Sequence, residues 1–348
     1  MQYNYKLDQT VKKTVSIKNI AETLGISTAT VSLVLSGKAT NGRVSEEITR
    51  KIKETAKSMN YMPNGLARSL RVGRTNTLGL IVADISNPFF GLLTLHIQEK
   101  AEELGYTVII VNTNEDDIRM GKLVDILKSR QVDGYLIIPT EHGDIYIKEL
   151  LANKVPLVLI DRYFPDIQTN HVVIDNYKAS YDATRLLIHK DCKNICLFMY
   201  KSNLQHIVER KNGYCEALKK EGLYNENYIY EINYNNIEKD IADAVDKIVK
   251  SKKKIDGIFF VTNTISIIGI KELLRHGVKI QKEIQVICFD KSDAFDFMDV
   301  SIPYVSQPVA GMGKKAVEVL VNQITKKEPD LDSVIYKLSA KLIQTHDN

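Results

Sequence analysis

The chain has 348 residues, of which 44% are hydrophobic and 26% charged, and this balance predicts a globular protein of two or three domains. It contains no run of about 18 apolar residues and no secretory signal at its polar N-terminus, so we expect no membrane span and a cytoplasmic location. The four scattered cysteines do not form the pattern of a disulfide framework and fit a reducing compartment.

Charge is distributed unevenly along the chain. Residues 1–75 hold 13 Lys/Arg and 5 Asp/Glu, whereas the remainder holds 34 and 38. A basic N-terminal region on a mildly acidic body suggests that one end of the protein binds a polyanion. Basic arms also bind RNA and membrane surfaces, so charge alone leaves the partner open.

The N-terminal region contains the pattern of a helix-turn-helix. Apolar residues with helical spacing predict a helix over residues 17–24, which Gly25 ends, and Ser27 can cap a second helix over residues 28–35. The turn between them is short and contains glycine, as in DNA-binding helix pairs. A third helix is predicted over residues 46–59. The second helix of such a unit enters the major groove of DNA, and the alternative is a three-helix module that binds protein.

A basic segment follows and is predicted to be a linker with a short helix over residues 65–70, which Asn64 can cap. Small and apolar residues of such a segment can enter a minor groove and kink the duplex. The alternative is an ordinary tether. The candidates for insertion are Leu66, Ala67 and Leu70.

From residue 77 onward, short apolar strands alternate with helices, which predicts an α/β core with parallel sheets. The pattern restarts near Val172, and Val132-Asp-Gly-Tyr-Leu-Ile-Ile in the first half is similar to Ile255-Asp-Gly-Ile-Phe-Phe-Val in the second. We therefore expect two lobes with a ligand cleft between them. The predicted boundaries are 1–13 for a flexible extension, 14–62 for the helix-turn-helix, 63–75 for the linker and 76–348 for the core, with lobe one at about 76–173 and 307–330 and lobe two at about 174–306 and 331–348.

Candidate ligand-binding residues end predicted strands or begin predicted helices, where the carboxyl ends of parallel strands converge. Aromatic rings can stack on a sugar-like ring, and Asp, Asn and Arg can bind its hydroxyl groups. The alternatives are that the carboxylates cap turns and that the two phenylalanines belong to the core. The candidates are Asp84, Phe89, Phe90, Asp161, Arg162, Arg210, Asn263 and Asp290, and Asp175 and Asn176 end one further strand.

Three other patterns do not indicate a site. Gly311-Met-Gly-Lys-Lys-Ala316 fits a dinucleotide-binding pattern but lies inside a predicted helix over residues 309–324. The spacing of His189, Cys192 and Cys196 matches no standard zinc site. Because no nucleophile motif or paired carboxylates outrank ligand binding, we expect no enzyme activity, no cofactor and no metal.

The chain closely resembles regulators of the LacI/GalR family from about residue 15 onward, with motifs in the order and spacing of that family. The headpiece match is Ser16-Ile-Lys-Asn-Ile-Ala-Glu-Thr-Leu-Gly-Ile-Ser-Thr-Ala-Thr-Val-Ser-Leu-Val-Leu-Ser-Gly37, with Val44-Ser-Glu-Glu, Asn60-Tyr-Met-Pro-Asn64 and Leu66-Ala-Arg-Ser-Leu70. The match continues through Gly73-Arg-Thr-Asn-Thr-Leu-Gly-Leu80 and Asp84-Ile-Ser-Asn-Pro-Phe-Phe90.

This resemblance implies roles for the DNA-binding residues. Thr28, Ala29 and Leu33 match positions that read bases, and Leu70 matches a leucine wedged into the minor groove beside Ala67. Leu33 departs from the family, which often has Arg there, and a leucine cannot form the bidentate guanine contact. The residues implied to hold phosphates or to begin the DNA-binding helices are Ser16, Ser27, Thr30, Ser32, Asn41 or Arg43, and Asn64.

The resemblance also implies a core like that of periplasmic sugar-binding proteins, in which Arg210 and Gly213 match an effector-binding motif. Two departures leave the effector open. Asn263-Thr264 replaces the frequent Asn-Asp, and Cys288-Phe-Asp-Lys291 replaces Gly-Phe-Asp-Asp. The added Lys291 either binds an anionic group or faces solvent. Residues 202–208 match no purine-binding pattern, which favours a carbohydrate or sugar derivative.

Together these patterns predict a homodimeric, nucleoid-associated bacterial repressor of a carbohydrate-utilisation operon. It binds a pseudo-palindromic double-stranded operator and responds to a small effector. The alternatives are a regulator that responds to a purine or another metabolite, an activator, a solute-binding protein with no DNA role, and a sugar-modifying enzyme.

Overall fold

The computed structural model describes residues 15–37, 44–61, 73–251, 253–326 and 333–344. They belong to two compact units, divided between Thr75 and Asn76. In this part of the chain no helix is long and apolar enough to cross a membrane. The predicted extension and linker helix lie outside the described residues, as do Asn41, Arg43, Asn64, Leu66, Ala67 and Leu70.

The described residues of the N-terminal unit form three helices, each begun by a serine whose hydroxyl accepts a backbone N–H. Gly25 ends the first helix with φ at 66°, a left-handed conformation that glycine adopts at little cost. Apolar residues of all three helices form a small core that includes Ile20, Val31 and Ile52, each fully buried. The helices are α1 (Ile17–Leu24), α2 (Thr28–Leu35) and α3 (Glu46–Ser58).

The second unit contains two sheets with helices on their faces. The strands are β1 (Thr77–Val82), β2 (Thr107–Asn112), β3 (Gly134–Ile137), β4 (Leu157–Ile160), β5 (Asn170–Ile174), β6 (Ile195–Tyr200), β7 (Ile229–Ile232), β8 (Gly257–Phe260), β9 (Gln285–Phe289), β10 (Tyr304–Ser306), β11 (Ile335–Leu338) and β12 (Lys341–Ile343). The helices are α4 (Pro88–Glu103), α5 (Asp117–Ser129), α6 (Asp144–Ala152), α7 (Asn176–His189), α8 (Gln205–Lys220), α9 (Ile237–Lys250), α10 (Asn263–Arg275) and α11 (Val309–Thr325).

Each sheet is the centre of one lobe and, over the described residues, has six strands. The first sheet has the order β11-β5-β4-β3-β1-β2 and is parallel throughout. The second has the order β12-β10-β9-β8-β6-β7, and β12 runs antiparallel to β10. The predicted α/β core with parallel sheets is confirmed. Because the helices cover the faces, the strands are short apolar runs with little alternation.

The repeated Asp-Gly motif has the same structural role in both lobes. The carboxylate of Asp133 accepts the Asn76 N–H at 2.8 Å just before β1. The carboxylate of Asp256 likewise accepts the backbone N–H groups of Lys193 and Asn194 just before β6. In each lobe the aspartate that precedes one central strand therefore fixes the start of its neighbour.

The C-terminal strands correct the predicted lobe boundaries. The sequence assigns residues 331–348 to lobe two, but β11 pairs with β5 in the sheet of lobe one, with Ile335 opposite His171. Only after β11 does the chain enter the second sheet, as β12. The burial of β11 alternates because it is an edge strand, so it lacks the continuous apolar run that marks the central strands.

Candidate functional sites

Helix α2 presents two different faces. Val31 and Val34 are buried in the core of the N-terminal unit, whereas Thr28 and Ala29 at the start of the helix are exposed. The first-turn N–H groups of a helix point outward and attract anions. Small exposed side chains beside them allow a close approach of a nucleic-acid backbone. Thr30, Ser32 and Leu33 are partly exposed, and Ser16 and Ser27 are exposed.

The serines of this surface already have structural partners. Ser27 Oγ accepts the Thr30 N–H at 3.1 Å and lies 2.8 Å from Thr30 Oγ1. Ser16 Oγ donates to Asn19 Oδ1 at 2.7 Å. These contacts set the starts of α1 and α2, so both serines position the exposed face whether or not they touch a phosphate themselves.

In the core, the structure brings all eight predicted ligand-binding residues to one cleft at the carboxyl ends of strands from both sheets. The space in and in front of the cleft, including the part open to solvent, is about 510 Å³. The predicted residues on its wall are Asp84, Phe89, Phe90, Asp161, Arg162, Arg210, Asn263 and Asp290.

Arg162 follows β4 and forms a bidentate pair with Glu115, with N–O distances of 2.7 and 2.6 Å. Its Nη1 also donates to the Pro139 carbonyl oxygen at 3.2 Å, and the guanidinium lies 5.6 Å from the centroid of the Phe90 ring. Burial acts to lower the pKa of Arg162, but the carboxylates of Glu115 and Asp161 outweigh it and raise that pKa. Arg162 is therefore a fixed cation in the cleft wall.

Arg210 lies in the second turn of α8, because that helix begins at Gln205. Its Nε donates to Asn176 Oδ1 at 2.8 Å and its Nη1 donates to the Val261 carbonyl oxygen at 2.7 Å. The guanidinium carbon lies 3.5 Å from the centroid of the Phe289 ring. Burial lowers the pKa of Arg210, and nearby carboxylates oppose this shift.

Asp161 and Asp290 occupy matching places, each directly after the fourth strand of its half of the core. Both have left-handed backbones, with φ at 66° and 69°, and such conformations concentrate at ligand sites. Burial raises the pKa of Asp161. Burial also raises the pKa of Asp290 to about 6, although Arg210 and a hydrogen bond from Gln307 Nε2 at 2.9 Å favour its ionised form.

Several expected residues have structural roles. Asp84 Oδ1 accepts the backbone N–H and hydroxyl of Ser86, at 3.0 and 2.6 Å, so it caps a turn and also lines the cleft. Asp175 caps α7, and Lys291 Nζ pairs with Asp296 at 2.9 Å. Neither Asp175 nor Lys291 lies on the cleft wall, which favours the solvent-facing interpretation of Lys291.

Gly213, matched to the effector motif with Arg210, permits close packing of two helices. A Cβ at this position would overlap the Tyr177 carbonyl oxygen and would lie 3.0 Å from the Ser180 side chain. The Ser180 hydroxyl donates to the Arg210 carbonyl oxygen. Gly213 therefore brings α8 against α7 and so places Arg210, without lining the cleft itself.

Hydrogen bonds join the two lobes beside the cleft. Glu141, after β3, accepts the Asn203 N–H at 2.7 Å and the Ser202 hydroxyl at 3.1 Å, both from the loop after β6. We call these three residues the latch. Tyr163 Oη also donates to Glu209 at 2.9 Å. The two lobes are thus held together in this conformation by contacts that opening would break.

Sequence reasoning missed part of the cleft wall. Most of the missed residues lie in irregular segments or near helix starts, where no periodic pattern shows which way a side chain points. Tyr200, at the end of β6, could have been found by the strand-end rule. The missed residues include Asn87, Glu115, Tyr200, His206, Tyr234, Thr262, Thr264 and Gln307.

The rejected patterns have structural explanations. Gly311 lies inside α11, as expected, and not at a turn between a strand and a helix. Cys192 and Cys196 are buried in the core. Among the described residues, no group of three or more His, Cys, Asp or Glu side chains is placed to hold a metal ion.

Comparison with known proteins gives two family matches. "Bacterial regulatory proteins, lacI family" matches residues 16–64, and "Periplasmic binding proteins and sugar binding domain of LacI family" matches residues 75–345. The transcriptional regulator RegA of Clostridium acetobutylicum is 31% identical over 90% of this chain and 94% of its own. The ribose operon repressor of Escherichia coli (strain K12) is 28% identical over 94% of this chain and 98% of its own.

The fold comparison agrees. A lac repressor dimer, solved bound to operator and the anti-inducer ONPF, has a TM-score of 0.83 at 16% identity, covering 95% of this chain and 98% of that one. Three capped helices followed by a two-lobed α/β core with a polar cleft define a ligand-responsive DNA-binding regulator. The chain belongs to the LacI family of bacterial transcriptional regulators.

Proposed function

We propose that this protein represses a carbohydrate-utilisation operon and that a sugar or sugar derivative in the cleft controls its affinity for the operator. It acts as a homodimer on a pseudo-palindromic site, so each headpiece binds one half-site. This activity associates it with the nucleoid in the bacterial cytoplasm. We expect that the protein does not modify the sugar chemically and releases it intact.

The observation that carries the proposal is the cleft wall. Two arginines, four carboxyl groups and three amides converge there from both lobes, beside two phenylalanine rings. Donors and acceptors on several sides of one cavity suit a compact ligand with many hydroxyl groups. Ligand bound to both lobes favours the closed arrangement, and operator affinity changes only to the extent that one arrangement binds DNA more tightly.

On DNA we assign base contacts to Thr28, Ala29 and Leu33. Thr28 and Ala29 are exposed at the start of α2 and Leu33 is partly exposed in its second turn, which supports this assignment. Leu70 and Ala67 enter the minor groove at the operator centre. Replacing Leu70 by Ala should weaken operator binding and leave ligand binding intact. The phosphate contacts are assigned to Ser16, Ser27, Thr30, Ser32, Asn64 and either Asn41 or Arg43.

The test has two stages and uses the full chain. Thermal unfolding is first measured against sugars, sugar phosphates and purines, because a ligand selective for the folded state raises the transition temperature. Operator duplexes selected from random sequence are then titrated with and without the ligand that binds, at several salt concentrations. We expect a sugar to bind, to change operator affinity and to be recovered unaltered, and we expect binding to weaken steeply with salt.

Other results would change the proposal in defined ways. If a purine stabilises the protein, the effector is a purine rather than a sugar, and the assignment as a DNA-binding regulator stands. A salt-independent interaction with DNA would argue against phosphate-driven binding. If the intact protein activates a reporter gene, the protein is an activator rather than a repressor.

A further inference from the structure

A second chamber adjoins the cleft and shares part of its wall. The cleft itself is here called the inner cleft. The second cavity, the outer chamber, encloses about 600 Å³, including its open part. The two cavities adjoin, and they share the side chains of Glu115, Arg162, Tyr200, His206 and Tyr234.

One part of the wall of the outer chamber is aromatic and apolar. The rings of Tyr200 and Tyr234 lie 5.7 Å apart and are tilted by 51°, while Leu204 and Ile207 are 8% and 1% exposed. Such a wall can cover the face of a second ring, and the tyrosine hydroxyls can bind its edge. The inner cleft, in contrast, has mostly charged and amide groups on its wall.

Buried polar atoms near the junction suit hydroxyl groups. His206 lines both cavities and is 5% exposed, yet its Nδ1 has no hydrogen-bond partner among the described residues. Burial and the two cleft arginines keep its pKa well below the usual value, so the ring is neutral. Gln307 Oε1, on the inner wall, is likewise buried without a partner in the described part of the chain. Buried groups of this kind are normally satisfied.

The charges favour a neutral ligand. The inner wall carries four carboxyl groups and two guanidinium groups, and Arg162 is already paired with Glu115. An anionic ligand would face more carboxyl groups than guanidinium groups on this wall. The outer chamber adds Glu141 and Lys201, one charge of each sign. The side chain of Lys291 is not on either wall.

We propose that the effector is a neutral glycoside of two units, with one sugar in the inner cleft and the second unit in the outer chamber against Tyr200, Tyr234 and Leu204. This proposal rests on the proposed sugar-responsive function and assigns the outer chamber as its second subsite. It predicts that monosaccharides and sugar phosphates are the weaker ligands.

The test measures dissociation constants by calorimetry on the full chain for monosaccharides, their disaccharides and phenyl glycosides, and their phosphates. A second ring on an aromatic wall should improve affinity about tenfold. We expect at least one disaccharide or phenyl glycoside to bind that much more tightly than its monosaccharide, and the phosphate to bind more weakly than either.

Variants locate the second unit. Leu204→Ala should reduce the gain in affinity that the second unit provides. Asp84→Ala, on the inner wall alone, should weaken the binding of monosaccharide and disaccharide alike. Because Leu204 is buried, the exposed Asn235→Trp gives a second measurement. It should block the outer chamber, remove the gain and leave monosaccharide affinity unchanged. Unfolding temperatures without ligand show that each variant is folded.

Several outcomes would overturn the inference. If monosaccharides bind as tightly as every glycoside, or if Asn235→Trp leaves the gain intact, the outer chamber is not a subsite, although sugar control of the operator stands. If a sugar phosphate binds more tightly than the neutral sugars and Lys201→Glu abolishes that binding, the proposal of a neutral effector is wrong. If no carbohydrate binds and a purine does, the proposed function fails with the inference.

Discussion

The exposed face of α2 and the wall of the core cleft are built in opposite ways. The face of α2 consists of small exposed side chains near helix N-termini, and its residues come from one short segment. The cleft wall consists mainly of larger polar and aromatic side chains from Asp84 to Gln307, and several of them are buried and hydrogen-bonded to one another. Substitutions on the exposed face of α2 should therefore change binding alone, whereas substitutions in the cleft should change binding and stability together.

The largest effect on stability should come from Arg162→Met. It removes the buried partner of Glu115 and a cation beside Asp161, which leaves carboxylates without compensation and should cost about 3 kcal/mol of unfolding free energy. Urea unfolding at neutral pH measures the loss. Lys148→Met is the matched control, because it breaks an exposed pair with Asp144 and should change stability little. Equal losses in the two variants would contradict the description of the cleft as a coupled buried network.

The next effect depends on pH. The folded pKa of Asp290 is about 6 and its ordinary value is 3.8, so the protonated form is favoured by folding. Its contribution to stability is fully present below about pH 4 and is lost as pH rises through 6. Asp290→Asn removes this titration, so its stability relative to the parent should rise by about 2 kcal/mol between pH 4 and pH 7.

Urea unfolding of the parent and Asp290→Asn at each pH measures that difference. Arg210 and Asp161 face the same carboxyl group, and both remain in the variant, so their own effects largely cancel in the comparison. A stability difference that stays constant from pH 4 to pH 7 would show that Asp290 is not perturbed by burial.

Much of the core was predictable because its elements are locally encoded. β9 is a short apolar run of the buried type, and α5 begins after a capping Asp116. The strand-end rule then identified Asp161, Arg162 and Asp290, since carboxyl ends of parallel strands meet at one edge.

The remainder depends on contacts between distant segments. The start of α8 has no local sequence signal, because Leu204 provides no side-chain cap. Tyr234 follows β7 in a one-turn 3-10 helix, and nothing local shows that it lines the same cleft as Glu115 and Arg162 of the other lobe. Glu141 is similarly uninformative in sequence, because its partners lie about 60 residues later in the chain.

Removing the latch should have a smaller effect on stability than the Arg162 and Asp290 substitutions. Glu141→Ala removes two hydrogen bonds between the lobes, each worth about 1 kcal/mol. The closed arrangement should become less populated, and ligand affinity should fall about tenfold. Hydrogen exchange of residues 202–208 without ligand should become faster. Tyr163→Phe, which removes one bond to Glu209, is the graded control and should have about half the effect. Unchanged exchange in Glu141→Ala would show that these contacts do not hold the lobes together.

The smallest effect on stability should come from Leu33→Arg, which should instead change the base preference of DNA binding. Leu33 is only partly buried and is absent from the apolar cluster that joins α1, α2 and α3, so unfolding free energy should change by no more than about 0.5 kcal/mol. An arginine at this position can form the bidentate guanine contact that leucine cannot.

Selection of duplexes from random sequence by the parent and by Leu33→Arg measures the change. We expect a new preference for guanine at one symmetric position in each half-site, with discrimination of about 1–3 kcal/mol. Val34→Arg is the matched control on the adjacent residue, since Val34 is 3% exposed and a buried arginine there should unfold the headpiece. If both variants lose DNA binding without a new preference, α2 does not present Leu33 to the bases, and the division between an exposed reading face and a buried face fails at this helix.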